Sequence, residues 1–522
     1  MMKKLNLKKL SVLALLSMAL LVTSCSVIGK KSVVKSNNSG VYYSLFVRSF
    51  ADSDGDGIGD FNGISAKASY LENLGISGVW LLPIFESPSY HGYDVQDYYK
   101  VNSDYGTMED FESMIKELKK HNIKVIIDMP LDHSSNQNQW FILSENPDDP
   151  HHAWYRWAQE GDGYNLNTQI WGHKVWLESS RYPSYYYSAL FNYDMPDFNL
   201  DNPEVREEFK SILKFWMDKG VSGFRFDAAG HVYNTAKIKT NQDSLINAQN
   251  FWKEMTEYTK LVNPESYSVA EVWDNSSVRS SYLKGLDSVF HFNMGDRIID
   301  VLKFQKDTNN SYAYYLKNDY DTSFKSNPYY TDSPFLTNHD QGRAAGMLVG
   351  NREACKAGAS LYLLTQGTPF VYYGEEIGMM SGSEDSTKRS PLLWGKNDKY
   401  NCTWEDSIYN KKTLSIAEQK KDKSSLYNYY KNLINFRNSS EIFTYGTFIP
   451  YDCDTENVSS WTMNYNEEKA LVLVNITGEN KTVNLRDDFS ASSIIFRSND
   501  ENKKSSNKII LKPYGTVVLQ HK

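Results

Sequence analysis

One pattern dominates this chain. Short runs rich in apolar and β-favouring residues recur along it, each followed by a stretch whose apolar residues come at helical spacing. The runs fall at residues 44–50, 78–85, 124–130, 223–228, 267–273, 288–294, 333–338 and 369–374. The segment Asn202-PEVREEFKSILKFWMDK-Gly220 shows the logic of the helices. Pro203 suits a first turn, Val205, Phe209, Ile212 and Trp216 share one face, and Gly220 supplies the stop. Strands alternating with helices dictate a parallel sheet, because the chain must cross back before the next strand can pair in the same direction. Eight such units predict an α/β fold, a closed (β/α)8 or TIM barrel.

One connection breaks the rhythm. About ninety residues separate 130 from 223, far more than an ordinary βα loop holds. Subtracting the helix after Pro203 leaves residues 133–194, rich in Trp, Tyr and His, as an inserted subdomain. On the C-terminal rim of a barrel it would wall one side of the active site. The barrel then comprises residues 41–132 and 195–440. From residue 441 the pattern changes again: ALVLVNI, KTVNL, SIIF and GTVVL are short strands joined by polar turns with no helices between them. They predict a C-terminal β-sandwich, residues 441–522.

The first residues read as an address. Lys3, Lys4, Lys8 and Lys9 precede an apolar run at residues 10–22, the layout of a secretory signal and too short to span a bilayer comfortably. The run ends Val22-Thr-Ser-Cys25, which resembles a bacterial lipobox. That resemblance makes residues 1–25 a lipoprotein signal peptide and Cys25 the lipidated new N-terminus. The protein would be exported and anchored on the outer side of the cell membrane, with residues 26–40 as a flexible tether. A net charge of −8 argues against a nucleic-acid partner. Cys355, Cys402 and Cys453 are odd in number and far apart, so they give neither a disulfide framework nor a zinc site. A monomer is expected.

An acidic loop follows the first strand: Asp52-Ser-Asp-Gly-Asp-Gly-Ile-Gly-Asp60. It is not an EF-hand, because loop position twelve is Gly63 rather than Glu and a strand precedes it. Alternate oxygens of Asp52, Asp54, Asp56 and Asp60, with the carbonyl of Ile58, could still wrap a hard cation, and four carboxylates so close repel one another without one. Ca²⁺ is the expected ion; an exposed acidic turn is the plainer alternative.

Barrel catalysis sits where strands end. The third run ends DMPLDH (128–133), the fourth GFRFDAAGH (223–231), the fifth AEVW (270–273) and the seventh FLTNHD (335–340). With HGYD (91–94) and MPDFN (195–199), these stretches resemble, in order and spacing, the signature regions of the α-amylase family of glycoside hydrolases, family 13. The resemblance implies a retaining glycosidase with Asp227 as nucleophile, Glu271 as acid and base, and Asp340 as the third carboxylate, gripping sugar hydroxyls. Arg225 shares a strand face with Asp227 and is expected to keep it ionised. Burial and neighbouring carboxylates should raise Glu271 so that it holds a proton near neutral pH. By the same resemblance His133 and His339 bond the sugar in the cleavage subsite, Tyr93 stacks on it, Asp94 reaches a terminal sugar, and His231 lines the leaving-group side. The acidic loop resembles the calcium loop of the oligo-1,6-glucosidase branch.

Several residues depart from the common family pattern. Asp132 stands where an Asn usually ligates a second calcium, and Gly230 replaces the usual Lys before His231. The MPDFN motif mixes features of oligo-1,6-glucosidases and neopullulanases, an intermediate group. Ala228 resembles enzymes that cut α-1,4 links. The expected activity is therefore hydrolysis of internal α-1,4 bonds in starch-type glucans and maltooligosaccharides. An exo-acting α-glucosidase or oligo-1,6-glucosidase, or a cyclomaltodextrinase, would use the same residues. A non-catalytic glycan-binding lipoprotein ranks lowest, since all three carboxylates are present.

Overall fold

In the computed structural model, which describes residues 39–233, 244–406 and 408–521, seven parallel strands form one curled sheet. In chain order they are Val41–Leu45, Ile76–Leu81, Lys124–Met129, Gly223–Phe226, Tyr267–Ala270, Ser288–Val289 and Phe370–Tyr372. The first strand pairs on one side with the second and on the other with the last, Ser44 lying opposite both Trp80 and Tyr372. Residues 333–335 take the remaining position through two single parallel bridges, Phe290 with Ser333 and Phe335 with Phe370. These close the ring into the (β/α)8 barrel. Its strands are buried on both faces, as a parallel sheet jacketed by helices must be. Residues 1–25, expected to be a signal peptide ending at Cys25, and nearly all of the expected tether at residues 26–40 lie outside the described residues.

Most strand boundaries shift by a few residues from expectation, and three strands differ in kind. The first strand lies earlier than residues 44–50, because 47–50 form a helical turn with Val47, Ser49 and Phe50 buried. A short run that is apolar on every side fits a buried turn as well as a buried strand. At residues 288–294 only Ser288–Val289 is strand, and a helix follows at Phe292–Phe304. At residues 333–338 there is no continuous strand. Pro334 has no N–H to give a ladder, although its carbonyl accepts from Phe370 N at 2.8 Å.

The helix after the insertion is Pro203–Asp218. Asn202 caps it by accepting from Glu204 N, Val205, Phe209, Ile212, Leu213 and Trp216 are buried, and Gly220 follows in the left-handed region at φ 101°. The insertion carries a helix, Gln139–Ser144, and a three-stranded sheet of Trp157–Ala158, Tyr186–Ser188 and Trp176–Glu178. Its two ends meet where His133 bridges Asp197.

Beyond Thr447 the chain forms a five-stranded antiparallel sheet packed on a three-stranded one. Alternation divides the work of the strands. Leu471, Leu473, Val517 and Leu519 face Val483, Ile509 and Leu511 of the second sheet. Val472, Val474, Val518 and Trp461 face the other way and join the barrel's core. Arg437 lies buried nearby, its guanidinium donating to the carbonyls of Leu363, Thr365 and Gly367.

Candidate active site

The site is assembled where four barrel positions end. Gly223–Phe226 carries Arg225 and leads to Asp227, and Tyr267–Ala270 leads to Glu271. Lys124–Met129 carries Asp128 and leads to His133, while the bridged segment leads to His339 and Asp340. Asp227, Glu271, Asp340, Tyr93, His133 and His231 face one cleft of about 290 Å³. Arg225 and His339 are buried behind its wall. The structure thus brings together, from five separate stretches of chain, eight of the nine residues expected to bind or react.

Arg225 organises the carboxylates. Its Nη1 donates to Asp227 Oδ1 at 2.5 Å and to Asp128 Oδ1 at 2.7 Å, and its Nη2 donates to Glu271 Oε2 at 2.7 Å. The Ala228 amide donates to the same Glu271 oxygen at 3.1 Å. Ala228 adopts φ 50°, the left-handed region, which turns its N–H toward Glu271 directly after the strand ends. One cation among three buried anions leaves charge uncompensated. Burial pushes Glu271 up to about 7, opposed by Arg225 and reinforced by Asp227 and Asp340. Burial likewise lifts Asp128 to about 6. Asp227 is also raised by burial, with Arg225 pulling against it. The guanidinium favours the anion, but it is shared three ways and the buried setting outweighs it.

Asp340 forms the facing wall, with 35% of its side chain open to the cleft. His339 Nε2 lies 3.1 Å from its Oδ2, and Arg389 Nη2 lies 3.4 Å from its Oδ1. Burial, with Arg389 and Arg225 nearby, holds His339 far below the usual range, so the ring is neutral. The Tyr93 hydroxyl sits 2.6 Å from that Nε2 and donates to Asp128 Oδ2 at 3.0 Å. Trp80 Nε1 donates to the same Asp128 oxygen at 3.2 Å. Neither ring nitrogen of His133 makes a hydrogen bond. Burial disfavours its charged form, but Asp132, with Asp227 and Asp197 around it, raises it overall.

Asp94 behaves differently. It is 2% exposed and accepts from Ser87 Oγ at 2.7 Å and from Ser89 Oγ, so its carboxylate braces its own loop rather than facing the cleft. Sequence reading missed Asp128, whose position in DMPLDH was the available signal. It also missed Tyr90, Asp385 and Arg389, which carry no local pattern. Arg389 pairs with Asp385, and the Tyr90 hydroxyl donates to Asp385 Oδ2 at 2.7 Å, joining two loops at one end of the cleft.

The acidic loop lies apart from this chemistry. Asp52, Asp54 and Asp60 present carboxylate oxygens within 4.8 Å of one another. Asp52 takes the amides of Gly55 and Gly57, and Asp60 caps the next helix through Gly63 N. Asp56 stands outside this group, its Oδ1 accepting from Ile58 N at 2.7 Å. Among the described residues none of the three makes an ion pair. Two of them are buried, so hard oxygen donors gathered without a positive partner fit a cation such as Ca²⁺.

Comparison with known proteins agrees with this geometry. Residues 44–446 match the family model of the α-amylase catalytic domain, and residues 458–518 match that of the α-amylase SusG C-terminal domain. "Alpha-amylase 3" of Dictyoglomus thermophilum is 39% identical over 487 residues, covering 92% of this chain and 93% of its own. An oligo-1,6-glucosidase of Bacillus cereus is 30% identical over 558 residues, covering 92% and 98%. Among solved structures, an α-amylase from H. orenii superposes with a TM-score of 0.85 at 34% identity, covering 93% of this chain and all of that one. With its catalytic-domain match running through every strand end that builds the cleft, this chain belongs to the α-amylase family of glycoside hydrolases, family 13.

Proposed function

We propose that the enzyme hydrolyses internal α-1,4-glucosidic bonds of starch-type glucans and maltooligosaccharides with retention of configuration. The observation that carries this reading is the single guanidinium of Arg225 bonded to both Asp227 and Glu271. It holds the two carboxyls as close neighbours, which suits the roughly 5 Å separation of retaining enzymes better than the wider gap that admits a water in inverting ones. Glu271, at about 7, keeps a proton to donate. Asp227 attacks the anomeric carbon while Glu271 protonates the departing glycosidic oxygen. The C–O bond breaks and a glycosyl ester forms on Asp227. Glu271, now anionic, takes a proton from water, which attacks the same carbon and frees Asp227. Asp340 grips hydroxyls of the distorted ring, with neutral His339 bracing it from behind and His133 open to a further hydroxyl.

Linkage preference rests on Ala228, on the MPDFN motif and on the relative named an α-amylase. The tie from Tyr90 through Asp385 to Arg389 narrows one end of the cleft and favours the exo reading. A product time course on soluble starch, maltotriose and isomaltose separates the two. Short maltooligosaccharides from starch support internal cleavage, whereas glucose alone from the first minutes, or a preference for isomaltose, supports the exo reading. The mechanism is tested by Asp227→Asn, which should lower turnover by at least about a thousandfold with the fold intact. Proton NMR should show the α-anomer released first; initial release of the β-anomer would exclude double displacement. Ca²⁺ held by Asp52, Asp54 and Asp60, and a lipid anchor at Cys25 on the outer face of the membrane, complete the proposal.

A further inference from the structure

A hairpin of the insertion breaks a local rule beside the cleft. Gln169–Ile170 pairs with His173–Lys174 across a two-residue loop, Trp171-Gly172. Both loop residues have positive φ, 51° and 87°, the pattern of a type I′ turn. Such a turn favours Asn, Asp or Gly at its first position and strains a bulky side chain there. Trp171 is that bulky side chain, and burial does not compensate it, because the residue is 61% exposed.

The hairpin is braced. His173 Nε2 donates to the Leu190 carbonyl at 2.9 Å, and the Val175 amide donates to the Thr168 carbonyl at 3.1 Å. The indole is thereby held 5.6 Å from the ring of Phe191 and 5.3 Å from that of His231, edge-on to the histidine. Both partners line the cleft. A residue that violates its turn, remains in water and is steadied against two cleft residues is kept for a contact that arrives from solution.

We propose that Trp171 is a specificity-determining binding residue. With Phe191 it forms an aromatic ledge on which the apolar C–H face of a pyranose ring stacks, and that ring belongs to the leaving-group portion of an α-glucan. Asp340, with His339 and Arg389 beside it, faces the cleft to grip the ring being cleaved, which leaves the ledge beside His231 for the departing chain. The inference rests on Asp227 and Glu271 acting as described above. A wide, rigid ring suits this contact because it gains area while little side-chain freedom is lost.

Trp171→Asn tests it, since Asn suits the turn and the variant should melt no lower than the wild type. Two substrates are compared: maltotetraose, whose leaving group can reach the ledge, and α-maltosyl fluoride, whose one-atom leaving group cannot. The loss of kcat/KM on maltotetraose should exceed the loss on the fluoride by about tenfold, the scale of one aromatic contact. Trp171→Tyr should recover part of that ratio. An unchanged ratio in a normally melting Trp171→Asn would overturn the proposal. So would a lower melting temperature in both variants, which would show that the ring serves the fold. A wild-type enzyme inert toward both substrates would instead remove the reading of Asp227 and Glu271, and this inference with it.

Discussion

Glu271→Gln separates the acid's chemistry from its cost to the fold. Burial lifts this carboxyl from an ordinary 4.5 to about 7. A shift of about two and a half units corresponds to roughly 3 kcal/mol against the ionised form. Because the folded pKa lies above the unfolded one, the folded state binds the extra proton between about 4.5 and 7. Stability therefore falls as pH rises through that window and stays lower above it, while below pH 4.5 there is no effect. Gln mimics the protonated acid and removes the penalty. At pH 8.5 the variant should melt about 3 °C higher than the wild type, given the unfolding entropy of a chain this size, and at pH 4.5 the two should coincide. Activity should move the other way. Sugar leaving groups need the proton, so kcat/KM on maltotetraose should fall between about a hundredfold and ten-thousandfold. In the wild type kcat/KM should decline as pH rises through about 7, and that limb should vanish in the variant. Calorimetry at the two pH values and a pH–rate profile suffice. A wild-type profile flat from pH 6 to 9, or identical melting at pH 8.5, would refute the reasoning.

Two further outcomes concern the periphery. If Asp52, Asp54 and Asp60 hold Ca²⁺, a hundredfold excess over the dissociation constant stabilises the fold by about 2.7 kcal/mol. EDTA and Asp54→Ala should then each lower the melting temperature and should not add to one another; melting indifferent to both would return the loop to an acidic turn. Cys25→Ala should release the enzyme from membrane fractions or block its processing, and unchanged membrane association would contradict the anchor.

The sequence by itself determined the architecture and the chemistry-bearing residues, because both are written in local pattern. Alternating strand and helix periods specify a parallel barrel, and short motifs at strand ends put Asp227, Glu271 and Asp340 on one rim. Even Gly220 and the cap at Asn202 follow from rules that span one turn of helix. What the tertiary structure decided is everything that depends on who shares a neighbour. Arg225 sits two residues from Asp227 and looked like its private counter-ion. Folding also gives it Asp128 and Glu271, and removes all of them from water, so that burial outweighs pairing. Asp94 matched its motif but bonded to Ser87 and Ser89 instead of facing the cleft. Arg389 and Trp171 carry no pattern of their own, and reach the site only because two loops and a hairpin are brought to it from distant stretches of chain. Local periodicity is set by the backbone and survives in any window of sequence. Charge sharing, desolvation and contact across loops exist only once the chain has closed.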